Sequence, residues 1–201
     1  MTKNIIFDFG GVLVDWDPRY LYRKLFTNEL EMEDFLASIC TSDWNEQQDE
    51  GRSLADGTAV LAAAYPEKMA LIEAYYGRWE EMLGGAIEET VDLLRTLKNS
   101  GKYALYGLTN WSAETFPIAL QKFDFFTLFD GILVSGTEKM RKPNPAFFQL
   151  LLDRYQLKAN ESLFIDDNQR NIAAAKAFGI PSILFENASA LKKDLRLKGL
   201  L

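Results

Sequence analysis

The chain has 201 residues, 48% hydrophobic and 25% charged, as in an ordinary globular protein long enough to bury a sizeable core. A net charge of −7 works against a nucleic-acid partner, since a phosphate backbone calls for clustered Lys and Arg, and no window approaches the roughly 18 apolar residues of a membrane span. The absence of histidine excludes Ser-His-Asp, Cys-His and His-ligated zinc chemistry, which leaves carboxylates, lysine, hydroxyls or an oxygen-held metal.

The N-terminus, "MTKNIIFDF", lacks the pattern of a signal peptide, and the single cysteine, Cys40, reads as a small core hydrophobe. Both point to a cytoplasmic protein. "NIIFDF" reads as a first strand that ends in the carboxylate of Asp8, followed at once by Gly10 and Gly11. A carboxylate is costly to bury unless it is paired or bound to a metal, and glycine serves where backbone turns sharply or approaches a ligand. Asp15 and Asp17 read as caps, Asp17 with Pro18 at the first helical position.

Between Trp16 and Gly85 the strand signal disappears. "DPRYLYRKLF", "EMEDFLASIC", "SLADGTAVLAAAY" and "EKMALIEAYYGRWEEML" read as helices, the third opened by Ser53 three residues before Asp56. From Ala86 strands and helices alternate. "KYALYGLT" (102–109) is a strand, and "SAETFPIALQKF" a helix that Pro117 bends or shortens. "GILVS" (131–135) is a strand, followed by a helix with Asn144 as N-cap and Pro145 at its first position. Strand "SLFID" (162–166), a helix closing on Gly179, strand "PSILF" (181–185) and a terminal helix with a basic solvated face complete the chain. This alternation predicts an α/β fold, a doubly wound parallel sheet built from 1–15 and 86–201, with a helical module over 16–85.

In such sheets ligands sit beyond the carboxyl ends of the strands. Those ends carry Asp8, Thr109 with Asn110, and Asp166 with Asp167, while Lys142 lies in the loop after "GILVS". Crowded carboxylates repel by several kcal/mol unless compensated, and with oxygen donors only the natural compensator is Mg²⁺. With Lys142 and neutral donors beside it, such a cluster makes a phosphate site in which Asp8 is placed as nucleophile.

In order, "FDFGGVLVD", "LTNWS", the "KP" of "MRKPNP" and "FIDDNQRNIAAAKAFGI" resemble the four motifs of the haloacid dehalogenase-like superfamily, across essentially the whole chain. The helical module stands where that family carries its C1 cap. More narrowly, "DFGGVLVDWD" and motif four look like the subgroup that includes α-D-glucose-1-phosphate phosphatases. The resemblance implies a Rossmann-like core and a phosphohydrolase in which Asp8 forms an aspartyl-phosphate that water hydrolyses. It implies Mg²⁺ held by Asp8, the Gly10 carbonyl, Asp167 and, directly or through water, Asp166. Thr109 and Asn110 would bind a phosphoryl oxygen, Lys142 would neutralise charge, and Gly11 would lie against the substrate.

One departure from the family pattern stands out. Its phosphatases usually carry an Asp two residues after the nucleophile, where this chain has Gly10, so the general acid is missing. Anomeric sugar phosphates, with their better leaving group, are therefore the favoured substrate class. The alternatives are a metal-independent dehalogenase, which the acidic pair Asp166-Asp167 disfavours, and a non-catalytic binding protein. In the helical module, Trp44, Gln47, Gln48 and Glu50 suit either a hydroxylated substrate or a helix-packing surface. The expected partner is a small phosphorylated metabolite.

Overall fold

The computed structural model describes residues 1–201. Five parallel strands form one sheet in the order β5-β4-β1-β6-β7. They are β1 (Asn4–Phe7), β4 (Ala104–Thr109), β5 (Gly131–Val134), β6 (Ser162–Asp166) and β7 (Ser182–Leu184). A further antiparallel pair, β2 (Val14–Trp16) and β3 (Leu83–Ala86), stands apart.

Both faces of the parallel sheet are covered, which explains the unbroken apolar runs of its strands. Ile5 and Phe7 of β1 and Leu163 and Ile165 of β6 pack on one face with α6 (Glu88–Asn99) and α11 (Ala188–Leu197). Ile6 and Phe164 point the other way, into α9 (Pro145–Tyr155), which follows the single turn α8 (Ser135–Glu138), and α10 (Gln169–Ala177). The chain builds outward from β1 through β4 to β5, then crosses back to β6 and β7, so the switch in strand order falls between β1 and β6. Asp8 follows one of these strands and Asp166 ends the other.

The helical segment comprises α1 (Arg19–Tyr22), α2 (Glu29–Ser38), α3 (Ser42–Asp49), α4 (Leu54–Ala64) and α5 (Met69–Gly77). Its apolar side, with Tyr22, Phe35, Trp44 and Tyr75, runs continuously into the core on the first sheet face. Cys40 is buried there, as its composition suggests. No helix is long and apolar enough to cross a membrane.

Several local expectations hold. Asn144, Asn168 and Ser53 each accept a backbone N–H at the start of their helices. Others do not. β2 and β3 were invisible as strands: three and four residues, two of them Gly84 and Gly85, carry no alternation to read. Asp15 is not a cap; it lies on β2 and its Oδ2 accepts from the Tyr20 hydroxyl at 2.7 Å. Asp17 accepts from the Arg19 N–H, but Pro18 occupies the N-cap position. The helix read over 112–123 is shortened, as expected of Pro117: α7 (Phe116–Lys122) begins only one residue before it, so that the missing N–H falls in the first turn and costs nothing.

Candidate active site

Asp8 leaves the end of β1 with its N–H bonded to Ile165 O of β6 at 2.9 Å, which fixes its backbone over the switch point. Its Oδ1 accepts from the Phe9 N–H at 2.7 Å and lies 2.9 Å from Lys142 Nζ, while Oδ2 has no protein donor. Lys142 has no solvent exposure. Its Nζ reaches Asp166 Oδ2 at 2.7 Å and sits 5.5 Å from the centre of the Phe164 ring, within cation–π range. Burial opposes the charge on Lys142, but Asp166 and Asp8 outweigh it and hold the group as an ammonium.

Asp166 is fully buried and saturated. Besides Lys142 it accepts from the Asn168 N–H at 2.8 Å and from Asn171 Nδ2 at 3.0 and 3.1 Å. Asn171, on the first turn of α10, was not singled out from sequence; an Asn in the helix opening that follows two carboxylates was the available signal. Asp167 is exposed to the cleft. Reduced hydration and the Asp166 charge raise its pKa, and burial raises that of Asp8 against the pull of Lys142.

Carboxylate oxygens of Asp8, Asp166 and Asp167 lie within 4.8 Å of one another. Three carboxylates against a single ammonium leave this oxygen-only cluster negative, the donor set that a hard dication compensates. The free Oδ2 of Asp8 and the exposed Asp167 are open to an ion, whereas the oxygens of Asp166 are occupied by protein donors.

Gly11 belongs to this geometry differently than expected. Its N–H donates to Val14 O at 2.9 Å, so it is unavailable to a substrate. Its φ of +72° and a Cβ position that would run into the Asp167 carboxylate explain the glycine. Gly10 has no such constraint, since a Cβ there meets nothing within 4 Å and its φ is not positive.

Thr109, at the end of β4, is buried with an unpartnered Oγ1. The Asn110 side chain is spent on holding Lys142: Nδ2 donates to its carbonyl and Oδ1 accepts from its N–H, both at 2.9 Å.

Asp8, Gly10, Gly11, Asn110, Asp167 and Asn171 form the floor of a cleft of about 690 Å³ whose far wall comes from α1, α2 and α3; Thr109, Lys142 and Asp166 lie buried beneath it. Trp44 and Gln47 are not part of that wall, contrary to the substrate reading. Trp44 is buried, donates its indole N–H to Gly57 O at 3.0 Å and packs on Tyr75 and Tyr76. Gln47 faces solvent, Gln48 is bonded to Trp44 O and the Tyr76 hydroxyl, and Glu50 pairs with Arg141. The cleft instead receives Ser42, Asn45, Glu46 and Asp49. Their i, i+3, i+4, i+7 spacing puts them on one polar stripe of the helix. Glu46 also ties α3 to the core through Arg141 at 2.9 Å and Arg170 at 3.0 Å. Beside the cleft a smaller chamber of about 90 Å³ is lined by Tyr76, Trp79 and Trp111, and it shares Gly10, Trp16, Asn45, Asp49 and Asn110 with the cleft.

A family model described as haloacid dehalogenase-like hydrolase matches residues 2–179. The sesquiterpene phosphatase astK of Aspergillus oryzae is 31% identical, with 96% of this chain and 95% of that protein aligned. Drimenol cyclase drtB of Aspergillus calidoustus is 29% identical over 97% of this chain, which spans only 36% of that protein. Among solved structures, a HAD family enzyme from Bacteroides thetaiotaomicron in complex with magnesium and inorganic phosphate superimposes with a TM-score of 0.70. It is 24% identical, covering 95% of this chain and 99% of that one.

Proposed function

Because the chain belongs to the haloacid dehalogenase-like hydrolase family and is a phosphatase, we propose that it is a Mg²⁺-dependent phosphohydrolase of small phosphorylated metabolites, with Asp8 as nucleophile. One observation carries the reading: Asp8 stands at the switch point with one oxygen anchored by Lys142 and Phe9 and the other free, in a set of three carboxylates that one ammonium only partly compensates. Asp8, Asp167 and the Gly10 carbonyl would hold the ion, with Asp166 fixing Lys142 and contributing through water. When bound, Mg²⁺ supplies charge neutralisation that lets an anionic phosphoryl group approach the anionic Asp8.

The protein's own groups account for the remainder. Asp8 attacks phosphorus and forms the acyl phosphate, and water then releases phosphate and restores the carboxylate. The unpartnered Thr109 hydroxyl and the Asn110 N–H would receive a phosphoryl oxygen, and Lys142 offsets charge that builds on Asp8 and the transferring group. The helical segment would act as a cap that walls the reaction from bulk water, with 1–15 and 86–201 as the catalytic core.

The cleft wall narrows the leaving group. Asp15, Asp17, Glu33 and Glu46 face it against Arg19, which is already bonded to Glu33 at 2.7 Å. A second negative charge on the substrate is thus disfavoured and a neutral hydroxylated group favoured, which keeps sugar phosphates as the first class. A second reading, phosphates of apolar alcohols, is favoured by the three tryptophans of the adjoining chamber and by the similarity to a sesquiterpene phosphatase.

A panel of phosphate monoesters, assayed with Mg²⁺ and with EDTA, tests the proposal. Turnover should require the metal and vanish in Asp8→Asn, which keeps the fold but loses beryllofluoride binding. Activity that persists in EDTA or in Asp8→Asn overturns it.

A further inference from the structure

Position 10 offers the leaving group no proton, yet an alkoxide is a poor leaving group without one. The cleft wall opposite Gly10 holds a carboxyl group that the reaction as described does not use. Asp49, the last residue of α3, lines both the cleft and the aromatic chamber and so stands at their junction, together with Gly10 and Asn110.

Its position is fixed by the core. The Ser135 hydroxyl, just beyond β5, accepts the Trp111 N–H at 2.9 Å and donates to the main-chain carbonyl of Asp49. Trp111 is the next residue after Asn110, so the end of α3 is fastened to the same strand ends that carry the phosphate-facing groups. One carboxyl oxygen of Asp49 accepts from Asn45 Nδ2 at 3.0 Å, and Asn45 is itself held by the Tyr76 hydroxyl at 2.9 Å. The Arg141 guanidinium, whose charge acts on Asp49, is paired with Glu46 and Glu50 instead. Asp49 is therefore positioned by neutral donors, not neutralised by an ion pair.

We propose that Asp49 protonates the departing oxygen, supplying from the helical segment the acid that position 10 lacks. The inference rests on the phosphatase reading above. As Asp8 forms its bond to phosphorus, the bond from phosphorus to the leaving oxygen breaks. The electron pair stays on that oxygen, which takes the proton of Asp49. The resulting Asp49 carboxylate then accepts a proton from the water that attacks the acyl phosphate, and the acid is restored as phosphate leaves.

The surroundings keep the group protonated near neutrality. Burial pushes Asp49 up to about 7; Glu46 on the same helix adds to this, while the Ser112 N–H and Arg141 oppose it. Tyr75 and Tyr76, the titratable groups facing it from α5, are themselves raised by burial and stay neutral. The other acids of the cleft wall lie outside the chamber: Asp15 is bonded to the Tyr20 hydroxyl, Asp17 and Glu33 to Arg19, and Glu46 to Arg141 and Arg170.

Leaving-group dependence of Asp49→Asn tests this, with a primary alkyl phosphate (glucose 6-phosphate) and 4-nitrophenyl phosphate as probes. Alkyl turnover should fall about 10²–10⁴-fold, the usual worth of general acid catalysis, and aryl turnover less than about tenfold. Retained beryllofluoride binding would show a folded site, and Asp49→Ser serves the same reading should the amide not fold. Wild-type alkyl turnover should decline as pH rises past about 7, a limb absent from the variant. Gly10→Asp placed in Asp49→Asn should restore alkyl turnover. Equal losses on both probes in a folded variant, no loss on either, or a selective alkyl loss in Asp15→Asn instead would overturn the assignment of Asp49 alone. A wild type that turns over neither ester overturns the phosphatase reading with it.

Discussion

The ammonium of Lys142 lies 2.7 Å from Asp166 Oδ2, and neither side chain has any solvent exposure. Removing one partner of such a pair strands the other charge in a medium that cannot solvate it. Lys142→Met should therefore cost about 3–5 kcal/mol of stability, besides abolishing turnover. Denaturant unfolding checks the value. A loss below about 1 kcal/mol would mean that the Asn168 and Asn171 donors alone can hold Asp166.

The two adjacent glycines should respond oppositely to alanine. At Gly11, positive φ and the Asp167 carboxylate both exclude a Cβ, so Gly11→Ala should cost about 1 kcal/mol or more and displace Asp167. Gly10→Ala meets nothing and should leave stability unchanged within about 0.5 kcal/mol. Paired thermal melts with and without Mg²⁺ separate the two, since only Gly11→Ala should weaken the response to the ion.

Mg²⁺ should raise the melting temperature in proportion to the logarithm of its concentration above the dissociation constant, because binding to the folded state alone adds RT ln(1 + [L]/Kd). Asp167→Asn should raise the melting temperature of the metal-free protein, by relieving repulsion with Asp166, and flatten the response to the ion. A titration in which the variant still gains as much as wild type would remove Asp167 from the metal site.

Stability should also depend on pH through Asp49. Its folded pKa is raised from 3.8 to about 7, so the folded state binds more protons than the unfolded chain across that interval. Stability is then greatest at the acid end of the window and falls as pH rises through it. Asp8 and Asp167 act in the same direction when no metal is bound, so the informative quantity is a difference. Wild type minus Asp49→Asn, followed by urea unfolding from pH 4 to 8 in EDTA, should show the decline that Asp49 alone contributes.

The β-α alternation after Ala86 was readable because each strand is buried on both faces and stays apolar end to end, while glycine, proline and asparagine punctuate the turns. The same logic exposed the strand-end residues: Asp8, Thr109, Lys142 and Asp166 all lie where a parallel sheet delivers its carboxyl ends. The short pair β2–β3 escaped, since three or four residues with two glycines carry no period.

Sequence by itself determined which groups arrive at the carboxyl edge of the sheet, because strands that alternate with crossover helices run parallel and deliver their ends to one side. It did not determine which of them are free. That Asp166 is saturated by Lys142, Asn168 and Asn171 while Asp8 keeps one open oxygen depends on distances across three separate loops. Nor did it choose the face of α3. Trp44 and Gln47 suited a substrate or a packing surface equally, and a tryptophan gains more by burial against Tyr75 and Tyr76 than by lining a wet cleft. The helix accordingly turns its Asn45–Glu46–Asp49 stripe to the site. Only the packing of the helical segment onto the sheet made that rotation, because a helix chooses its buried side from the partner that covers it.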